Sequence, residues 1–328
     1  MKGKKLFSLA KESFKEWQDD GSLELGAALA YYTIFSIAPL LLIAIAIAGV
    51  VFGREAVQGQ LVGQIEGLVG RQGAEAVQTM IANAGKHDSG VLPTVLGIAT
   101  ILFGATGVFV QLQDSLNKIW DVKPKPGGGV KAFLMQRVIS FGMVLGIGFL
   151  LLVSLVFAAG VAALDEFATG LLPGAETLIG ILGFLVSFTL VTLLFAMIYR
   201  VLPDVEIAWR DVWVGAGVTA LLFTIGKYLI GLYLGNSSVA SAYGAAGSLV
   251  VVLLWVYYSS QILFLGAEFT QVYATRYGSR IVPSEGAVRV DEEGERRQRK
   301  TERRQGRERR QGWEAEHGGG EAPPRPAH

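Results

Sequence analysis

Two ionisable side chains stand inside long apolar runs: Lys227 within 212–234 and Glu268 within 246–269. A charge inside a membrane span is costly, and it usually faces protein, a water-filled cavity, an ion path or a proton relay. The chemistry such residues offer is the binding of ions, protons or headgroups rather than bond making. Two readings fit Lys227. It lines a cavity, or its long stem lets the ammonium snorkel to an interface. Glu268 falls at the level expected for Glu24, Asp114, Asn117, Arg200, Arg210 and Arg276. That level reads either as a structural charge network at the rim of a bundle or as a substrate or proton site. Lys227 and Glu268 differ too much in depth to pair, so each needs another partner. Trp255, Tyr257 and Tyr258 fall in mid-span, away from the interfaces where aromatic belts sit, and Tyr31 and Tyr32 precede Pro39. They read as bundle packing or as the lining of a cavity.

Other chemistry is excluded by residue supply. The chain has no cysteine and three histidines, of which His317 and His328 lie far from the apolar runs. A multi-histidine or thiolate metal site cannot be assembled, and no cofactor is expected. No P-loop, dinucleotide fingerprint or nucleophile elbow is present. A membrane enzyme is the weakest reading, with no catalytic residue to name.

The elements that hold these residues are transmembrane helices. Of 328 residues, 51% are hydrophobic and 17% charged, well below the quarter of a soluble chain. Runs of about 20 apolar residues suffice to cross ~30 Å of hydrocarbon. Six such spans are expected, at 26–52, 91–110, 138–164, 177–199, 212–234 and 246–271. The fold class is all-α, a polytopic bundle occupying 26–273. The first run is too long for a signal core and reads as a retained span. Residues 1–25 are basic, with apolar residues at helical spacing, and predict an amphipathic helix on the inner membrane surface. Residues 53–90 form the longest polar connector. Val57, Leu61, Ile65 and Leu68 share one face, and Val77, Met80 and Ile81 resume after Gly70 and Gly73, predicting two short amphipathic helices. Gly142 with Gly146, and Gly231 with Gly235, permit close helix packing within the chain or in a homo-oligomer.

Lys and Arg set the sides. The N-terminal stretch, the 111–137 loop, the turn after the fourth span and the region after Tyr273 are rich in them, and the alternate loops are poor. Positive charge favours the cytoplasm, so both ends are expected inside a bacterial inner membrane and the 53–90 connector outside. From Pro283 to His328 apolar content collapses, which predicts a disordered cytoplasmic tail. Its Arg296–Arg310 segment offers contact to anionic lipid or RNA, or is a solvated charge run, and no specific nucleic-acid reader is present.

Five motifs stand in order on separate helices: Ala27–Tyr32 leading to Ser36–Leu40; Gln111–Asp114 with Leu116–Trp120; Leu202–Val205 with Trp209–Asp211; Tyr243-Gly244; and Leu265–Glu268. Together they resemble the YihY/BrkB family of bacterial inner-membrane proteins over roughly 10–280. The resemblance implies six membrane helices and a role linked to virulence, serum resistance or envelope-lipid handling. An old label called such proteins ribonucleases, and the residue supply here does not support it. Transport or lipid handling, with membrane lipids as partners, is the first functional expectation. A scaffold recruiting partners through the connector and tail is the second.

Overall fold

A computed structural model describes residues 2–84, 91–125, 175–236, 246–279 and 281–290, with a few isolated positions between them. The described chain is helical, as its hydropathy demands. Helix α1 spans Lys2–Asp19, α2 Ser22–Phe52, α3 Arg54–Ala84, α4 Val91–Ile119, α5 Ala175–Val201, α6 Trp209–Asn236 and α7 Gly247–Tyr277. Four of the described helices carry segments long and apolar enough to cross a membrane: Ser22–Val50, Ile179–Val201, Trp209–Leu234 and Gly247–Tyr277. The expected second span lies in α4, whose apolar half runs on into a polar half ending at Ile119. The expected third span lies outside the described residues, apart from isolated positions. One of these, Gly146, faces Met197 of α5.

The helices pack in the lateral order α4, α2, α7, α6, α5. Small residues set the closest approaches. A side chain at Gly215 of α6 would run into Thr270 of α7, and one at Gly266 of α7 would run into Thr219 and Tyr199. Without a hydrophobic drive between helices in lipid, such close fits and interhelical hydrogen bonds supply the association. Tyr199 of α5 is fully buried and donates to the Leu263 carbonyl of α7 at 2.7 Å. Its hydroxyl also pairs with Thr219 of α6 at 3.0 Å, so one tyrosine joins three helices.

Pro39 does not end α2. The helix is stitched to α4 beside it, where buried Ser36 donates to the Gly104 carbonyl at 2.7 Å and accepts from the Val108 amide at 3.2 Å. Those two groups are four residues apart, so the hydroxyl inserts at a rung of α4's own ladder. Helix α3 is broken at Gly70, with φ 76° and ψ 172°, a backbone only glycine adopts freely. The helix is thus divided into two segments at Gly70. Val57, Val77 and Ile81 pack on Ile45 and Ala48 of α2 and Val252 of α7, at one end of the bundle.

The opposite end is capped by two small antiparallel ribbons. Strand β1 (Val122–Pro124) pairs with β4 (Ala287–Arg289), and β2 (Val205–Glu206) with β3 (Val282–Pro283). The disordered tail expected from Pro283 is corrected for residues 283–290, which take part in these ribbons. Residues 283–290 are ordered because they complete strands left open by the loops after α4 and α5, a long-range pairing that composition does not register. Residues 291–328, with the Arg296–Arg310 segment, lie outside the described residues. Helix α1 packs on α7 at this same end, so the N-terminal helix and residues 281–290 share one side of the bundle.

Candidate functional site

The polar end is built from helix termini. Helix α1 closes at Asp19, and Gly21 reverses the chain with φ 67° before α2 starts at Ser22. Asp19-Asp20-Gly21 is a strong turn signal, and glycine takes the left-handed position without cost. Helix α4 ends at Ile119, and Asp121 turns into β1 with φ 52°. Aspartate tolerates that region better than most side chains. Both turns bring a carboxylate to the flank of α7.

There they meet Glu268. It is fully buried, and neither carboxyl oxygen has a conventional donor beside it. The Asp20 carboxyl lies within hydrogen-bonding reach, and Glu16 and Asp121 are close enough to repel it. The Lys118 ammonium, the cation of this corner, donates to the Asp20 backbone carbonyl at 2.5 Å. Burial, followed by the Asp121 carboxylate, pushes the Asp20 carboxyl above the usual carboxylate range; Glu268 and Lys118 pull the other way. On the elements that frame this corner, buried Trp17 Nε1 of α1, Ser22 Oγ of α2 and Trp120 Nε1 after α4 also lack a partner among the described residues. Each such group costs about 1–3 kcal/mol and calls for an explanation.

A second cluster lies beside the first. Asn117 donates to Asp204 Oδ2 at 2.8 Å and accepts from the Asp204 amide at 2.8 Å, and Gln113 donates to Asp204 Oδ1 at 3.3 Å. Asp211, buried at the start of α6, accepts from the amide and hydroxyl of Ser279, both at 2.8 Å. These bonds are structural ties that hold the ends of α4, α5, α6 and α7 in register.

The level expected for the charged residues is therefore occupied, but it divides. Glu268 stands with Asp20, Glu16 and Asp121, while Asn117 binds Asp204 with Asp114 exposed nearby. Arg200 stacks over Trp209 at 5.9 Å, and Arg210 and Glu24 are exposed. Arg276 pairs with Glu12 of α1 and donates to Ser8 rather than meeting Glu268. Tyr31 and Tyr32 are exposed and meet edge to face, and Tyr257 is half-buried. Lys227 is exposed, with its ammonium 5.7 Å from the Tyr228 ring. Sequence reasoning missed Asp20, Glu16 and Asp121. The turn signals at Asp19–Gly21 and after Trp120 were the available hint, but only the tertiary fold shows that both turns converge on α7.

Among the described residues no group of acidic, histidine or cysteine side chains is arranged to hold a metal ion.

Comparison with known proteins agrees with the bundle. The family described as Virulence factor BrkB matches residues 13–290, from within α1 to just after β4. The chain belongs to the BrkB family. This BrkB protein is 27% identical over 271 residues to a UPF0761 membrane protein of Ralstonia nicotianae, covering 80% of this chain and 58% of that one. It is 29% identical over 262 residues to one of Azotobacter vinelandii, covering 78% and 60%. A Pseudomonas aeruginosa relative is 28% identical over 244 residues, covering 74% and 56%. The BrkB chain thus spans less than two thirds of the length of these curated relatives. No solved structure matches it. The family match ends at residue 290, one residue after β4.

Proposed function

We propose that this integral membrane protein carries out transport or envelope-lipid handling in the bacterial inner membrane. In this reading the chain crosses six times with both termini in the cytoplasm and the capped end at the cytoplasmic rim, supported by the bias of Lys and Arg along the sequence. The observation that carries the reading is Glu268, a buried carboxylate without a donor, in a helix long enough to span. Structure alone gives no reason to retain it, because an apolar residue there would avoid the desolvation cost of a buried carboxylate.

A lipid-facing role draws support from α1. Leu9 and Ser13 turn to the bundle, while Phe7, Lys11, Phe14 and Lys15 are exposed together on the other side. Aromatic and lysine side chains on one face suit an anionic headgroup layer. The α1–α2 turn then carries lipid contact directly to Asp20 and Glu268.

The test is a bacterial strain lacking its own copy, complemented with wild-type protein or Glu268→Gln, and scored by its envelope-lipid profile. The reading expects the variant to reach the membrane at normal abundance and fail to restore the profile. Full restoration by Glu268→Gln would remove the reading's basis.

A further inference from the structure

We infer that Glu268 and Asp20 form a proton-binding site at the junction of α1, α2, α4 and α7, with one proton held between the two carboxyl groups. The inference rests on the reading of this corner as the working site and names its ligand.

Glu268 is buried, and both its oxygens lack a conventional donor among the described residues. The group within hydrogen-bonding reach is another carboxyl, Asp20. Two ionised carboxylates cannot share such a contact in a low-dielectric corner, and one proton converts the repulsion into an O–H···O⁻ bond. Among the described residues, Glu16 from α1 and Asp121 from the turn after α4 add further negative charge. Lys118 of α4 is committed to the Asp20 backbone carbonyl. On α7 itself, Arg276 is taken by Glu12 and Ser8. Among the described residues the charges that act on Glu268 are all negative, and a proton neutralises it without needing more space.

The proton also has a mechanical consequence. Asp20 belongs to the turn that starts α2, and Glu268 to α7, so the shared proton fastens the α1–α2 turn to the bundle. Release leaves facing carboxylates and loosens that contact. Protonation and the position of α1 are thereby coupled, which is the linkage an ion-driven carrier needs.

The test uses the full chain in lipid discs, followed by infrared spectroscopy in the carboxylic-acid carbonyl region as pH is raised, with Glu268→Gln and Asp20→Asn alongside. The wild type is expected to keep a protonated carboxyl band at pH 7. That band should be absent from Glu268→Gln and altered in position or titration in Asp20→Asn. Circular dichroism of each variant establishes that the helices are intact. No such band in the wild type, or one unaltered in Glu268→Gln, overturns the proposal. A band that appears only on removal of sodium or potassium also overturns it and makes the corner a cation site. If the band behaves as expected while Glu268→Gln still restores the lipid profile, the proton site stands and the transport reading falls.

Discussion

Asn117 grips Asp204 from both sides, giving its amide to the carboxylate and taking the backbone N–H on its carbonyl oxygen, each at 2.8 Å. Asp204 in turn accepts at its own carbonyl from Ser284 at 3.0 Å. One aspartate therefore ties α4, the α5–α6 turn and residues 281–290 together. Asn117 is buried, so its removal leaves part of this bonding unmet. Asn117→Ala should cost about 2–3 kcal/mol, within the range for an unsatisfied buried partner of a charged group. Thermal unfolding in detergent or discs measures it, and an unchanged midpoint would contradict the assignment.

Asp211 makes the matching tie to Ser279 after α7. Asp211→Ala frees both the amide and the hydroxyl of Ser279. Residues beyond Gly278 should then become sensitive to limited proteolysis at protease concentrations that spare the wild type. Equal cleavage rates would show the cap to be held by the strand pairing alone.

Gly266 is where α7 lies closest to α5 and α6, against Tyr199 and Thr219. A methyl group there must displace the tyrosine that joins three helices. Overpacking of this kind costs about 1–3 kcal/mol. Gly266→Ala should lower the unfolding midpoint, whereas Gly217→Ala, whose added Cβ meets nothing within 4 Å, should leave it nearly unchanged.

Asp20 carries the pH dependence. Its carboxyl sits above the ordinary range, first through burial and then through Asp121. In the window between its unfolded and folded values the folded state binds the extra proton, so stability falls as pH rises through that window. The penalty is complete above the folded value and absent below the unfolded one. Asp20→Asn should therefore raise stability at neutral pH and flatten the slope. The half-buried position limits the gain to about 1 kcal/mol or less. A steeper slope in the variant would reverse the assigned sign.

Lys227 is exposed beside Tyr228, which favours the snorkelling reading left open by its sequence position. Lys227→Met should then leave abundance and lipid profile within about twofold of wild type, as expected for a lost surface cation. A complete loss of function would return Lys227 to the list of working residues.

Much of this was legible in the residues. Apolar runs gave the helices of α2, α5, α6 and α7, because length and hydropathy are local properties. The break at Gly70 falls where the apolar spacing stops and resumes after Gly70 and Gly73. Glu268 was read beside Arg200, Arg210 and Arg276, whereas the fold sets Asp20, Glu16 and Asp121 around it. Asp20 and Asp121 lie in turns about 250 and 150 residues away in sequence, and their convergence depends on how α1 and α4 lie against α7. The order of residues 283–290 was hidden for the same reason: each strand is two or three residues long and gains meaning only from its distant partner.

The central claim is that Glu268 is retained for function rather than for folding. Native lipid discs of the wild type and of Glu268→Gln, extracted without detergent and compared by lipid mass spectrometry, test it most directly. The account predicts a lipid class enriched around the wild type over the bulk membrane, and a loss of that enrichment in a variant that is equally abundant and equally helical. Identical lipid profiles from the two proteins would contradict it.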